Sequence, residues 1–315
     1  MASRLRRTTR KKQTYFEWWQ SRIRKLSGFE NEAKQLFANT GEAYPVKGAW
    51  VVMKLALIAY YVGLYSTIIK KLFAKAYYVD FFAGPGLNRI TDTADIIFGS
   101  PLLADRGPAQ EKKFDKLILV EPNAKRNEAL AKLLPAALII PEDINTGGID
   151  RVLELLPDDA PSLVFVDPEG LEIHWNTLVK IFARWCDMII NFQSSSIERS
   201  VATARTDISR EPSLDLFFGT ADWRNCLNED SLLELYVTRL KQYRPVVIPI
   251  RVQGPGIFHY HIIVAVKKTK GPQGWIEAIE RAKNKIEAAT SDDLKPLLDV
   301  YHRRQTTFTD FKSLG

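Results

Sequence analysis

The chain has 315 residues, of which 46% are hydrophobic and 26% charged, an ordinary balance for a soluble globular protein. Its two cysteines, Cys186 and Cys226, lie far apart with no C-x-x-C spacing, which argues against a zinc site or a disulfide framework and for a reducing cytoplasm. No apolar run approaches the ~20 residues needed to span a bilayer.

The net charge of +7 is concentrated at one end. Arg4, Arg6, Arg7, Arg10, Lys11 and Lys12 stand in the first twelve residues without an acid among them, leaving +1 for the rest. Residues 1–14 are therefore expected to be a disordered basic tail. It either contacts nucleic acid or only solubilises the chain. Its Arg-rich, acid-poor character also suits a transit peptide, but it is short for one.

Residues 15–75 read as helical. Phe16, Trp19, Ile23 and Leu26 share one face of a helix that stops at Gly28. A short helix over 31–37 follows. A third helix, over 47–65, carries Trp50, Lys54, Leu57, Ile58 and Tyr61 on one stripe. Lys54 in that stripe either reaches the mouth of a site or snorkels to solvent.

From residue 76 the pattern alternates. Strands are predicted over 77–82, 116–121, 137–140, 162–167 and 186–192, with helices over 101–105, 123–134, 148–156 and 176–184. That alternation predicts an α/β fold with a parallel sheet covered on both faces. Residues 246–252 and 257–266 then form a hairpin across Gln253-Gly254-Pro255-Gly256. A seven-stranded, mostly parallel sheet closed by a C-terminal antiparallel hairpin is the Rossmann-like topology of class I methyltransferases. The predicted domain covers 76–290, with a helical insertion over about 194–243 and a helix over 274–288. Residues 291–315 read as a loose arm with one marginal helix.

The most informative stretch is Asp80-Phe81-Phe82-Ala83-Gly84-Pro85-Gly86, a buried strand ending in an acid and a glycine turn. The glycines let a ligand approach the backbone. Three further strand ends carry acids: Glu121, 41 residues on, then Asp143 and Asp167. An acid after the second strand is where ribose hydroxyls are held, and Asp143 suits an adenine amino group. A dinucleotide site wants a third glycine, but Arg89 stands there; no phosphate loop occurs, and residues 91–98 carry no helix signal to receive a pyrophosphate. S-adenosylmethionine needs none of these. The expected cofactor residues are Asp80, Phe82, Ala83, Gly84, Gly86, Ser100, Glu121, Pro122, Asp143, Ile144 and Asp167.

Asp167, the Pro168 carbonyl and Glu169 form the expected catalytic group, because acceptors at this strand end can hold the N–H groups of an exocyclic base amine and aim its lone pair. Positioning carries much of the rate of an in-line displacement. Trp175, Phe192, Trp223 and Tyr260 are candidates to stack on a flipped base. Trp223, Tyr260, Lys54 and the six tail cations are the expected substrate contacts. His259 and His261 share one strand face, an arrangement more often half-exposed surface than a metal site. Cys186 opens an apolar strand and lacks the Pro-Cys loop of a covalent mechanism.

These motifs also carry a family resemblance. DFFAGPG at 80–86, GSPLLA at 99–104, FVDPEG at 165–170, IINF at 189–192, LFFGTADWR at 216–224, LLELYVTRL at 232–240 and FHYHIIVAV at 258–266 resemble the three-Cys-motif partner family of methyltransferases. The likeness runs from about 44 to 288. It implies S-adenosylmethionine as cofactor and a separate partner protein. Glu169 stands where that family usually has Phe. The predicted function is methyl transfer to RNA, or to DNA. The alternatives are a protein or small-molecule methyltransferase and a non-catalytic nucleic-acid or partner-binding protein on the same fold.

Overall fold

A computed structural model describes residues 13–46, 48, 50–267 and 273–302. The six tail cations lie outside that range. α1 (Tyr15–Ser27) begins at Thr14, whose hydroxyl accepts from the Glu17 N–H while the Glu17 carboxylate accepts from the Thr14 N–H. α2 (Glu30–Thr40) and strand β1 (Tyr44–Val46) lead to α3 (Val51–Leu72). α3 starts and ends later than the predicted 47–65, because Ile68 and Ile69 pack on the core and carry the helix past Tyr65. By length and composition it is apolar enough to cross a membrane, contrary to the expectation that no such run exists. However, 67% of that window is buried within the fold, where α3 is a core helix.

Next come β2 (Tyr77–Asp80), β3 (Leu87–Ile90), β4 (Ile96–Phe98) and α4 (Ser100–Arg106). The alternation continues through β5 (Lys116–Val120), α5 (Ala124–Leu133), β6 (Leu138–Ile140), α6 (Ile149–Leu155), β7 (Ser162–Val166), α7 (Trp175–Phe182) and β8 (Cys186–Phe192). Helices α8 (Ser194–Ala204), α9 (Glu211–Phe218) and α10 (Glu229–Lys241) precede the hairpin β9 (Val246–Gln253) and β10 (His259–Val266). α11 (Gln273–Ile286) and α12 (Ser291–Tyr301) close the described chain.

The main sheet has seven strands in the order β6-β5-β2-β7-β8-β10-β9. β6, β5, β2, β7 and β8 are parallel neighbours. β10 runs antiparallel to both β8 and β9, so the last strand inserts beside the parallel set. This is the predicted Rossmann-like α/β fold. The chain leaves β2 on one side for β5 and β6, then returns on the other side to β7. That reversal is the topological switch point, and it opens a crevice outside the carboxyl ends of β2, β5 and β7.

One core lies between the sheet and α1, α3, α4, α11 and α12; the other lies beneath α6 to α10. The insertion is therefore integral: Leu214, Phe217, Phe218, Trp223 and Tyr236 are all buried against the second face. α12 departs from the expected loose arm. Its Leu294, Leu297, Val300 and Tyr301 are buried in the first core, and Thr290 and Asp293 form its capping box. A small second sheet, β1-β3-β4, was not predicted, since strands of three or four residues are too short to show an alternation. In it Tyr44 pairs with Asn88.

Candidate active site

A cavity of 340 Å³ opens at the switch point, at the lower end of the ~300–1,000 Å³ range of small-molecule sites. Its floor is the turn after β2. Gly84 and Gly86 have φ +62° and +85°, which glycine adopts without strain. Behind Gly86 follows β3 and not a helix; the helix N-terminus at this cavity is that of α4, whose Gly99 N–H donates to the Gly86 carbonyl at 2.8 Å.

Asp80 does not line the cavity, contrary to its expected role as a cofactor contact. Its carboxylate is fully buried under the turn, where Oδ1 accepts from the Phe82 N–H at 3.1 Å and Oδ2 from the Tyr78 hydroxyl at 3.0 Å. Burial pushes its pKa up to about 7, opposed by hydrogen bonds from Ser100, Phe82 and Tyr78. Asp80 thus shapes the turn from beneath, while Phe82, Ala83, Gly84, Gly86 and Ser100 line the cavity.

Glu121 and Pro122, just past β5, line the next wall. Glu121 is nearly buried and its Oε1 accepts from the Asn123 N–H at 2.8 Å. Burial raises its pKa, against hydrogen bonding from Asn123 and the nearby Arg126 charge. Asp143 and Ile144 lie outside the cavity lining. Asp143 is turned outward because its carboxylate caps Asn145 N at 2.8 Å, and Ile144 is buried in the second core.

Opposite stands Asp167, immediately after β7. Lys54 Nζ, reaching from α3, donates to its Oδ2 at 2.8 Å, and Asn191 Nδ2 donates to its Oδ1 at 2.6 Å. The Pro168 carbonyl accepts from Gln193 Nε2 at 3.1 Å. Lys54, Asp167, Pro168, Glu169, Glu172 and Gln193 all line the cavity. The Lys54 ammonium therefore points into the site and does not snorkel outward. Burial raises the pKa of Glu169, and the Glu172 charge adds to it.

The proposed stacking groups are elsewhere. Trp223 is buried in the insertion, where its Nε1 donates to Asp215 Oδ1 at 2.8 Å. Trp175 and Phe192 pack on Tyr236 in the second core. Tyr260 is buried against Trp50, ring centroids 5.6 Å apart. In each case a large apolar surface is satisfied by burial and none is left to face a base. His261 Nδ1 is 2.6 Å from Ser194 Oγ, and burial pushes its pKa down to about 3, so it is neutral. His259 Nε2 contacts Glu229 Oε1 at 2.5 Å.

Several lining residues escaped the sequence reading. Tyr44 and Val46 come from the small sheet, and the Arg126 guanidinium lies over the Tyr44 ring at 4.5 Å. Gln193, just past β8, also lines the cavity, while Asn191 within β8 reaches it only through Asp167; a polar residue at the end of an apolar strand was the available signal.

No protein-family model and no curated protein matches the chain. Among solved structures it is similar to protein LPL1258 of Legionella pneumophila, with 12% identity over 73% of this chain and 92% of that one, TM-score 0.45. It is also similar to an rRNA methylase of Streptococcus thermophilus, with 9% identity over 68% and 96%, TM-score 0.33. A third is the plantazolicin methyltransferase BamL, in complex with a desmethylplantazolicin analogue and S-adenosylhomocysteine, with 10% identity over 94% and 93%, TM-score 0.38.

Proposed function

We infer that this chain transfers the methyl group of S-adenosylmethionine to a nucleic-acid base, RNA in preference to DNA, at an exocyclic amine. The observation that carries the reading is a convergence. The Gly84–Gly86 turn, Glu121 after β5 and Asp167-Pro168 after β7 meet in one cavity at the switch point. The turn admits a ligand close to the backbone. Glu121 is an acceptor suited to ribose hydroxyls. A strand, and not a helix, directly follows Gly86, unlike the turn-to-helix arrangement of a dinucleotide loop.

The preference for RNA rests on the basic block at residues 1–12. Membership of the three-Cys-motif partner family, a separate partner protein and a cytoplasmic setting belong to the same reading. A second reading, transfer to a protein or small molecule, is favoured by the cavity lip. Glu169 and Glu172 stand there side by side, and neither forms an ion pair among the described residues. Such a lip suits a cationic substrate.

The deciding experiment incubates the protein with methyl-labelled S-adenosylmethionine and separate pools of total RNA, DNA and protein. Label in RNA is the expected result. Label only in the protein pool favours the second reading. Calorimetry that finds binding of NAD and none of S-adenosylmethionine overturns both.

A further inference from the structure

Both Asp167 oxygens already hold an N–H donor of the protein itself. Lys54 Nζ is 2.8 Å from Oδ2 and Asn191 Nδ2 is 2.6 Å from Oδ1. A carboxylate offers about four lone-pair sites, so two remain. An ammonium has three donors, and Asp167 takes one of Lys54's. Among the described residues the cavity therefore presents, side by side, an acceptor with free lone pairs and a donor with free N–H groups. Both groups are largely withdrawn from solvent, Lys54 at 13% and Asp167 at 19% side-chain exposure.

Such a pair has a defined complement. It is an N–H donor beside an unprotonated ring nitrogen. On the Watson–Crick edge adenine shows this with its 6-amine and N1 and cytosine with its 4-amine and N3, whereas guanine's 2-amine stands there beside a protonated N1. Uracil, ribose and lysine side chains do not. Base edges are told apart by such donor and acceptor patterns.

We propose that Lys54 and Asp167 form a bidentate reader of an amine-plus-ring-nitrogen base edge, with Asp167 accepting from the amine and Lys54 donating to the adjacent ring nitrogen. This deepens the methyltransferase reading and rests on it. In the reaction the amine nitrogen forms a bond to the methyl carbon. The carbon–sulfur bond breaks with its electron pair staying on sulfur, and the surplus amine proton leaves to solvent by way of Asp167. Lys54 touches the substrate ring and fixes which face of the amine meets the methyl group. It also explains a charged residue near the start of an apolar helix, with its ammonium on the cavity side. The base has to be unpaired to present this edge.

The test uses single-stranded RNA oligonucleotides containing only adenine, only cytosine or only uracil, with labelled S-adenosylmethionine. S-adenosylhomocysteine binding is measured by calorimetry alongside. Label should enter the adenine or the cytosine strand and not the uracil strand. Replacing the labelled base by its deaza analogue, 1-deazaadenine or 3-deazacytosine, keeps the amine and deletes the ring acceptor. That change should lower kcat/KM and oligonucleotide affinity about 10- to 100-fold in the wild type.

Lys54→Met should bind S-adenosylhomocysteine normally, transfer poorly, and no longer distinguish the natural base from its deaza analogue. Lys54→Arg should keep the discrimination. Label in uracil, label in no oligonucleotide while S-adenosylhomocysteine binds, or full discrimination by Lys54→Met would each overturn the reader. The wild-type deaza comparison stands even where Lys54→Met does not fold. Failure of the wild type to bind S-adenosylhomocysteine would instead sink the methyltransferase reading beneath it.

Discussion

The side-chain amide of Asn191 donates to Asp167 Oδ1 across 2.6 Å, tying the end of β8 to the residue that follows β7. Asn191 is itself buried, and its Oδ1 has no hydrogen-bond partner among the described residues. One half of this amide is thus spent on orienting a carboxylate while the other half is left unpaired. That is costly for a purely structural residue.

Asn191→Leu should therefore damage the site more than the fold. A hydrogen bond to a charged group contributes ~1.5–3 kcal/mol, but the substitution also removes the unpaired buried carbonyl. Turnover should fall about 10-fold or more, with affinity for S-adenosylhomocysteine within about 2-fold of wild type and little change in melting temperature. Wild-type turnover by this variant would mean that Lys54 alone orients Asp167.

Glu121→Ala addresses the cofactor end. Glu121 lines the cavity, and its pKa is raised by burial, so its carboxylate is held ready for a ligand at some cost. Losing a charged acceptor of ~1.5–3 kcal/mol should weaken S-adenosylmethionine binding about 10- to 100-fold by calorimetry. Unchanged affinity would remove Glu121 from the cofactor site.

The sequence made the sheet legible because its parallel strands are long, apolar and closed by polar residues. β5, β7 and β8 fall within a residue of their predicted ranges. It also marked Gly84, Gly86, Glu121 and Asp167, each of which lines the cavity. It misread residues whose role depends on which face a neighbour covers. Trp223 and Tyr260 are aromatic near the right motifs, yet tertiary packing buries them. The strand-end acids split for a similar reason. Asp80 and Asp143 are consumed by local backbone N–H groups at 3.1 and 2.8 Å, while Asp167 is held by side chains from α3 and β8. Local capping and long-range presentation look alike in one dimension.

Asp80 makes a pH prediction. Its folded pKa is about 7 against an ordinary 3.8, with burial the leading cause. Between those values the folded chain keeps a proton that the unfolded chain has released. Stability from this group is therefore highest at the acid end of the window and declines as pH rises through about 7. Asp187, also pushed up to about 7 by burial, acts in the same sense. Asp80→Asn cannot ionise. Urea unfolding of both proteins at pH 5 and pH 8 should show the wild type losing roughly 2–3 kcal/mol relative to the variant across that interval. Parallel pH profiles would show that Asp80 titrates normally.

The two turn glycines should differ in their response to a methyl group. Both have positive φ, so each Ala variant carries the ~1–2 kcal/mol penalty of the left-handed region. At Gly84 an added Cβ meets nothing within 4 Å, whereas at Gly86 it meets Leu130 Cδ1 and Leu133 Cδ1 at 3.2 Å. Gly86→Ala should therefore melt lower than Gly84→Ala. The reverse order in calorimetric melting would show that α5 yields and that the turn backbone is the stiffer element.

The basic tail gives the test of substrate class that depends least on the catalytic geometry. Six cations within residues 1–12 can neutralise at most about six phosphates, each contributing about −0.7 to the log–log salt slope on a single strand. Deleting residues 1–12 should reduce the magnitude of that slope by at most about 4, with the largest loss of affinity at low salt. Turnover at saturating substrate should change little, because the cavity is lined from Tyr44 onward. The measurement is RNA binding across a salt series for the full-length and truncated chains, with methyl transfer followed in parallel. The cavity carries Glu169 and Glu172, which repel phosphate, against the two cations Lys54 and Arg126, so the tail is the largest block of positive charge available to RNA. Superimposable salt series would leave the tail as a solubility device. They would also shift the balance toward the cationic substrate that those two acids favour.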